Sequence, residues 1–280
     1  MLKALRDEKE KQPWQYIFDY WFLPASRRYK KSRYYIENDL LPGISLADKK
    51  IIVDGNIVDI SSAPNGDDFL LGVIAEYFDF IYPNMVRNTI PFFISEGPYE
   101  KENCVVKEGD TVIDAGANLG LFSWLIKNKI GSSGKIYMFE PIESLSTILK
   151  ESIAINKTAP MMTVVESAVS NEDGFVYFEV QDFAGGSHKS EKGGLKVPTI
   201  TIDTYVKNNS IQKINFIKAD IEGMEPNLIQ GASETILRDK PRIAICTYHD
   251  RNHKKELTEL IKKIRPDYKF AYSSHKLFAW

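Results

Sequence analysis

From about Asn103 onward, short apolar runs alternate with stretches whose apolar residues recur every three or four positions. "TVIDAG" (Thr111–Gly116) predicts a strand that ends in a turn, and "LGLFSWLIKNKI" after it predicts a helix. "KIYMFEP" predicts the next strand, "IESLSTILKESIAIN" a helix and "MMTVVESAVS" a third strand. "FVYFEV", following the turn Asn171–Gly174, predicts a hairpin partner. "INFIKAD" and "RIAICTYHD" predict a fourth and a fifth strand with helices between and after, and "YKFAYSSHKLFAW" an antiparallel pair. Short apolar strands separated by amphipathic helices imply an α/β fold, a mostly parallel sheet covered by helices on both faces. Ligands of such sheets bind outside the carboxyl ends of the strands.

Residues 1–102 read differently. "IIVDGNIVDI" (Ile51–Ile60) predicts a hairpin around Asp-Gly-Asn, and "DDFLLGVIAEYFDFIY" (Asp67–Tyr82) a helix with one wide buried face. Prolines punctuate Pro83 to Pro98, which reads as a linker or lid. The pattern therefore divides the chain into an N-terminal α/β extension, 1–102, and a main domain, 103–280. The extension is expected to shape a pocket beside the main domain, for the molecule that domain acts on.

Composition narrows the function classes. Of 280 residues, 43% are hydrophobic and 26% charged, and 36 basic residues face 38 acidic ones. That balance gives no reason to expect nucleic acid as a partner. Segment 1–33 holds nine basic and four acidic residues, a net of +5, interleaved with aromatics in "WQYIFDYWF" and "RRYKKSRYY". A peripheral helix with a solvated basic face is the favoured reading, and contact with a polyanion or a membrane surface the sharper one. Cys104 and Cys246 are far apart and form no CxxC, so neither a disulfide framework nor a zinc ribbon is expected. With no long apolar run and no secretory pattern at the start, a cytoplasmic protein is expected. The sequons at Asn156 and Asn208 then carry no meaning. The sequence leaves a homo-oligomer open.

"DAGANLG" (Asp114–Gly120) closes the first strand of the main domain and opens a helix. It looks like a dinucleotide fingerprint with Asp114 in place of the first glycine. A carboxylate there would repel a pyrophosphate, so a dehydrogenase is disfavoured and a phosphate-free cofactor with a positive centre suits the turn. Gly116 would let the backbone approach the ligand, and Gly120 would let helix pack on strand. Glu140 ends the second strand in "MFEP", where an acid can accept both hydroxyls of a ribose. The plain alternative is a tight turn and an incidental surface acid.

At the fourth strand end, alternation puts Lys218, Asp220 and Glu222 on one side of an extended chain, at the rim of the cleft. "CTYHD" brings His249 and Asp250 beside them. Asp220 or His249 could serve as general base, with Lys218 and Glu222 in the same catalytic constellation. Asp220 and Glu222 could also cap the helix from Met224, or hold Mg²⁺ or Mn²⁺ together with His249 or Asp250. The base or positioning role comes first, capping beside it, the metal third. His188, His253 and His275 lack a partner at metal spacing and read as surface or lid histidines. "FAGGSHKSEKGG" (Phe183–Gly194) reads as a mobile loop over the cleft.

The ordered stretches "VKEGDTVIDAGANLGLFS", "KIYMFEP", "ESAVSNEDG", "PTITIDTYV" and "INFIKADIEGMEPNLIQGA" resemble the FkbM family of S-adenosylmethionine-dependent methyltransferases. The resemblance spans Val106 to about Ala232, continues through "TYHD" and leaves 1–100 uncovered. It implies a Rossmann-like class I methyltransferase fold and O-methylation of a hydroxyl on a sugar, glycan or natural product. An N-methyltransferase and a non-catalytic protein of the same fold are the alternatives. Pro226 stands near where the family usually has an acid, and reads as a first-turn proline. By resemblance, Asp114 sits near the methionine amino group. Gly116, Ala117, Asn118 and Gly120 line the cofactor, with Asp220 on its methyl side. Glu140 holds the ribose, Pro141 and Ile142 flank the adenine, and Ala168 with Glu166 or Ser167 lies at its edge.

Overall fold

The computed structural model describes residues 44–45, 49–62, 98–179, 188–189 and 194–280. The basic segment 1–33, the helix expected over Asp67–Tyr82, residues 83–97 and most of the glycine-rich stretch 183–194 lie outside them.

Among the described residues, the main sheet has seven strands. In chain order they are β4 (Thr111–Ala115), β5 (Lys135–Phe139), β6 (Met162–Val165), β11 (Phe216–Ala219), β12 (Arg242–Cys246), β13 (Phe270–Tyr272) and β14 (Lys276–Ala279). Their spatial order is β13-β14-β12-β11-β4-β5-β6. Every pairing from β12 to β6 is parallel, and β14 runs antiparallel to both β12 and β13. The chain order reverses between β4 and β11, so their carboxyl ends open the crevice where such sheets take ligands.

Strand alternation splits the core. Val112, Ile136, Met138, Phe216 and Ala244 face one way, with α1 (Leu121–Ile130) and α2 (Glu143–Ile155). Ile113, Phe139, Ile217 and Ile243 face the other, with α3 (Ile202–Asn208), α4 (Glu225–Gly231), α5 (Ser233–Asp239) and α6 (His253–Ile264). On α1, Leu121, Phe122, Trp124, Ile126 and Ile130 are buried, each contributing about 1.5–3 kcal/mol.

The expected hairpin is present as β2 (Lys50–Val53) and β3 (Asn56–Asp59), with β1 (Ile44–Ser45) on the outer edge of β2. Asp54 and Gly55 both take positive φ, 48° and 78°, as a two-residue hairpin turn requires. Its buried Ile51, Val53, Val58 and Ile60 join the core of α1 and α2. Asn156, one of the two sequon residues, holds the hairpin on α2: it accepts from Ile57 N at 2.9 Å and donates to Ile57 O at 2.6 Å.

The sequence pattern does not predict a second sheet, yet one is present. It contains β7 (Ala168–Val169), β8 (Gly174–Glu179), β9 (His188–Lys189) and β10 (Leu195–Ile200), ordered β7-β10-β8-β9. β8 is a hairpin partner, but of β9 and β10 rather than of β6. One face of this sheet packs Val176, Phe178 and Val197 on Met224. Cys104 and Cys246 are both buried, and they form no disulfide with each other. Among the described residues, no helix is long and apolar enough to cross a membrane.

Candidate functional site

The turn after β4 carries three left-handed residues, Gly116 (φ 73°), Asn118 (φ 50°) and Gly120 (φ 75°). Gly116 N and Ala117 N both donate to Phe139 O at 3.0 Å, fixing the turn on the end of β5. A Cβ on Gly116 would lie 1.8 Å from the backbone oxygen of Asp220. The missing side chain thus lets the ends of β4 and β11 close on one another. At Gly120 a Cβ would fall 2.6 Å from Met138 Cε and 2.7 Å from Leu149 Cδ2, so this glycine seats α1 on β5 and α2, as expected of it.

Asp114 lies beneath the turn, sealed from solvent. Ser123 Oγ donates to its Oδ2 at 2.6 Å, and Lys218 Nζ lies 3.0 Å from its Oδ1. Lys218 also donates to Gly116 O at 2.6 Å. The lysine expected at the rim is therefore one step deeper, within the fully buried β11. Burial opposes its charge, but Asp114 and then Asp220 outweigh burial and hold its ammonium above the usual lysine range. A buried lysine with a carboxylate and a carbonyl as partners is the satisfied form of such a group.

Glu140 follows β5 and keeps only 5% of its surface exposed. Asn118 N donates to Oε2 at 2.9 Å and Ile142 N to Oε1 at 3.0 Å, so the glycine turn and the start of α2 bracket the carboxylate. Burial pushes its pKa up to about 7, against the pull of these backbone donors and of Lys218. Pro141 and Ile142 are half-buried beside it, Ile142 as the N-cap of α2. Ser167 donates to Pro198 O at 3.0 Å, and Ala168 begins β7, so both are drawn into the second sheet. Glu166 is exposed and engaged by Ser146 and Lys150.

Asp220 stands at the mouth of the crevice with each oxygen held by a phenol. Tyr99 donates to Oδ2 at 2.7 Å and Tyr248 to Oδ1 at 3.1 Å. The Tyr99 ring meets two buried ammonium groups, Lys276 at 4.2 Å and Lys218 at 5.3 Å from its centroid. Burial disfavours charge on Asp220, yet Lys218, the Tyr99 hydroxyl, Lys276 and His249 together hold its pKa below the usual carboxylate value.

Beyond Ala219 the chain leaves the extended form. Glu222 is left-handed (φ 54°) and Gly223 follows at φ 95°. Even so, Glu222 meets His249, with Oε2 3.2 Å from Nε2. Nδ1 of the same ring lies 3.1 Å from Oε1 of Glu225, a fully buried residue, and Asp220 Oδ1 is 3.8 Å from Nε2. Burial works against an imidazolium here, but Glu222, Glu225 and Asp220 overcome it and bring the His249 pKa up to about 10. Glu225 also accepts from Ile221 N at 3.1 Å, and the start of α4 has no side-chain cap, so neither Asp220 nor Glu222 caps it as the sequence suggested. Pro226 falls in the first turn of α4, as read from the sequence. His253, read as a surface histidine, is buried with Nδ1 3.6 Å from Glu225 Oε2.

The structure thus brings Asp114, Gly116, Asn118, Glu140, Lys218, Asp220, Glu222 and His249 to one end of the sheet. Sequence reasoning missed Tyr99, Glu225, Tyr248, His253 and Lys276 as members of this cluster. The four-residue spacing of His249 and His253 was the one signal available for that pair.

Residues 114–272 match the FkbM methyltransferase domain. The chain is 25% identical over 162 residues to the hexuronic acid methyltransferase AglP of Haloferax volcanii, a match covering 57% of this chain and 64% of that protein. It resembles the crystal structure of methyltransferase FkbM from Methylobacillus flagellatus KT with a TM-score of 0.52 at 20% identity, over 79% of this chain and 57% of that one. At that identity the likeness shows the fold alone. The chain spans less than two thirds of either relative's length. With the FkbM domain matched over more than half of the chain, and the parallel sheet and glycine turn as described, this chain belongs to the FkbM methyltransferase family and carries the class I methyltransferase fold.

Proposed function

We propose that the chain is an S-adenosylmethionine-dependent O-methyltransferase that acts on an oxygen of a sugar, in a free saccharide or a glycan. The observation that carries this reading is the meeting of the glycine turn, Glu140 and Asp220 at the carboxyl ends of β4, β5 and β11. Those residues fit the cofactor: Asp114 replaces the glycine a pyrophosphate would need, and Glu140 offers a carboxylate to a ribose diol. Gly116, Ala117, Asn118 and Gly120 line or shape the cofactor groove, Pro141 and Ile142 bracket the adenine, and Ser167 and Ala168 border it. Asp114 acts through Lys218, which holds the turn carbonyl of Gly116.

When bound, the cofactor would supply a methyl group on a sulfonium, which an acceptor oxygen would take in line as the bond to sulfur breaks and the neutral thioether leaves. The protein's part is alignment, an effect worth up to about 7–11 kcal/mol in well-oriented reactions. Asp220, ionised and held by Tyr99 and Tyr248, accepts the acceptor's hydroxyl proton. A weakly basic carboxylate suffices, because an alkylated hydroxyl is a far stronger acid than any carboxylic acid. His249 has a carboxylate at each ring nitrogen, Glu222 at Nε2 and Glu225 at Nδ1, so Asp220 rather than His249 is the base. Between oxygen and nitrogen as the acceptor atom, the named relative favours oxygen, since a hexuronic acid offers hydroxyl and carboxylate oxygens and no amine.

The test is transfer of a labelled methyl group from S-adenosylmethionine to a panel of hexoses, hexuronic acids and amino sugars. Label in a base-stable ether on a sugar is the expected result. A base-labile ester would move the acceptor atom to a carboxylate. Label on nitrogen alone, or cofactor binding with no transfer to any class, would overturn the reading.

A further inference from the structure

The groups around His249 are not accounted for by methyl transfer. Glu225, His249 and His253 place one potential ligand atom each within 4.8 Å of one another. His249 Nδ1 lies 3.1 Å from Glu225 Oε1 and His253 Nδ1 3.6 Å from Glu225 Oε2, so the two rings meet the two oxygens of one carboxylate. Bonds of about 2.0–2.2 Å to a tetrahedral zinc ion need ligand atoms roughly 3.2–3.6 Å apart, a small closure from the 4.8 Å within which the three lie. Glu225 and His253 are buried, and His249, partly exposed as a residue, has both ring nitrogens covered. Among the described residues, Glu225 Oε2, His253 Nδ1 and both ring nitrogens of His249 are buried without a well-formed hydrogen bond. His249 has carboxylates at ion-pair distance on both ring nitrogens, but His253 Nδ1 and Glu225 Oε2, 3.6 Å apart, are too far for a hydrogen bond, so the gap between the rings and the carboxylate can take a ligand.

Charge points the same way. Asp114 and Asp220 are balanced by Lys218 and Lys276, which surround them. The cationic partners of Glu222 and Glu225 among the described residues are His249 and His253. One divalent ion with two imidazole ligands balances the charge of both carboxylates.

We infer that Glu225, His249 and His253 form a site for one divalent transition-metal ion of the zinc type, with Glu222 orienting His249 from outside. His249 Nδ1 faces the ion and Nε2 faces the Glu222 carboxylate, the carboxylate–histidine–metal arrangement that fixes a ring and its tautomer. Two imidazoles favour zinc, cobalt or iron over magnesium. Asp220 is not a ligand, and Glu222 lies one step outside, so this set differs from Asp220, Glu222 and His249 as read from the sequence. The ion ties the loop after β12 to α4 and α6. Because Tyr248 is next to His249, it also sets the phenol that meets Asp220 Oδ1. This inference does not depend on the acceptor or on the methyl-transfer reading.

The test uses the full chain, stripped with chelator and titrated with Co²⁺ alone and then Zn²⁺. One equivalent of Co²⁺ per chain, with visible absorption that Zn²⁺ abolishes and a raised melting temperature, is expected. His253→Gln and Glu225→Gln should each weaken binding at least about 100-fold, and Glu222→Gln about 10–100-fold. Asp220→Asn should bind the metal as the parent does. Should a variant fail to fold, nitrogen-15 NMR of the parent decides: Zn²⁺ should move one ring nitrogen each of His249 and His253 to the metal-ligated range. No Co²⁺ uptake, uptake that survives both ligand substitutions, or His249 and His253 ring signals unmoved by excess Zn²⁺ would overturn the site.

Discussion

Lys218 Nζ lies 3.0 Å from Asp114 Oδ1, and both side chains are closed to solvent. The sheet register causes this. Lys218 of β11 is paired with Asp114 of β4 in a parallel ladder, so the two side chains leave the same face of adjacent strands. The pair and the carbonyl of Gly116 lock the turn that faces the crevice.

Lys218→Met should leave the Asp114 carboxylate buried and unpaired, and should destabilise the protein by about 3–5 kcal/mol. The check is the urea midpoint at unchanged slope. Adding Asp114→Asn to the same chain should recover much of the loss, because the orphaned charge is gone. A double variant as unstable as the sum of the singles would show that the two act independently.

Gly116→Ala places a Cβ against the backbone oxygen of Asp220 at 1.8 Å, at a residue with φ 73°. Neither atom can yield without parting β4 from β11. A loss of about 3 kcal/mol or more is expected from overpacking plus left-handed strain. Gly55→Ala is the control: its φ is 78°, but among the described residues nothing lies within 4 Å of the added atom. It should cost about 1–2 kcal/mol, the left-handed strain alone. Equal losses at the two sites would contradict the close approach.

Glu140 carries the pH dependence. Its folded pKa of about 7 lies above the ordinary value of 4.5. With the folded pKa raised, the contribution of Glu140 to stability is fully present below the unfolded pKa. It is lost as pH rises through the folded value. Cofactor binding runs the other way, because the ionised carboxylate is the form that accepts two ribose hydroxyls. Affinity for S-adenosylmethionine should therefore rise from about pH 5.5 to about pH 8, by up to about tenfold per unit below the Glu140 pKa. Glu140→Gln should bind more weakly and flatten the profile. Calorimetry across this range tests both, and a flat profile for the parent chain would remove Glu140 from the ribose.

Periodicity made the main sheet legible, because Val112/Ile113 and Phe216/Ile217 alternate between two separate cores. It also gave the hairpin, since Asp54-Gly55 can take the required turn. The second sheet was not legible: β10 carries Pro198, and its pairing with β8 is fixed by contacts on Met224 far along the chain. Alternation told which way Lys218 points but not how deep it lies. Tyr99 reaches Asp220 across 121 residues, from just beyond a stretch that reads as a linker. His253 looked solitary because its partner, Glu225, opens a different helix.

The most direct test of the account is Asp220→Asn, read by cofactor affinity and turnover together. The substitution keeps shape and both phenol contacts in reach but removes the charge that takes the proton. Affinity for S-adenosylmethionine should change by less than about threefold while turnover of the sugar acceptor falls about 10²-fold or more. Full turnover by Asp220→Asn, with cofactor binding intact, would contradict a proton-accepting role for Asp220.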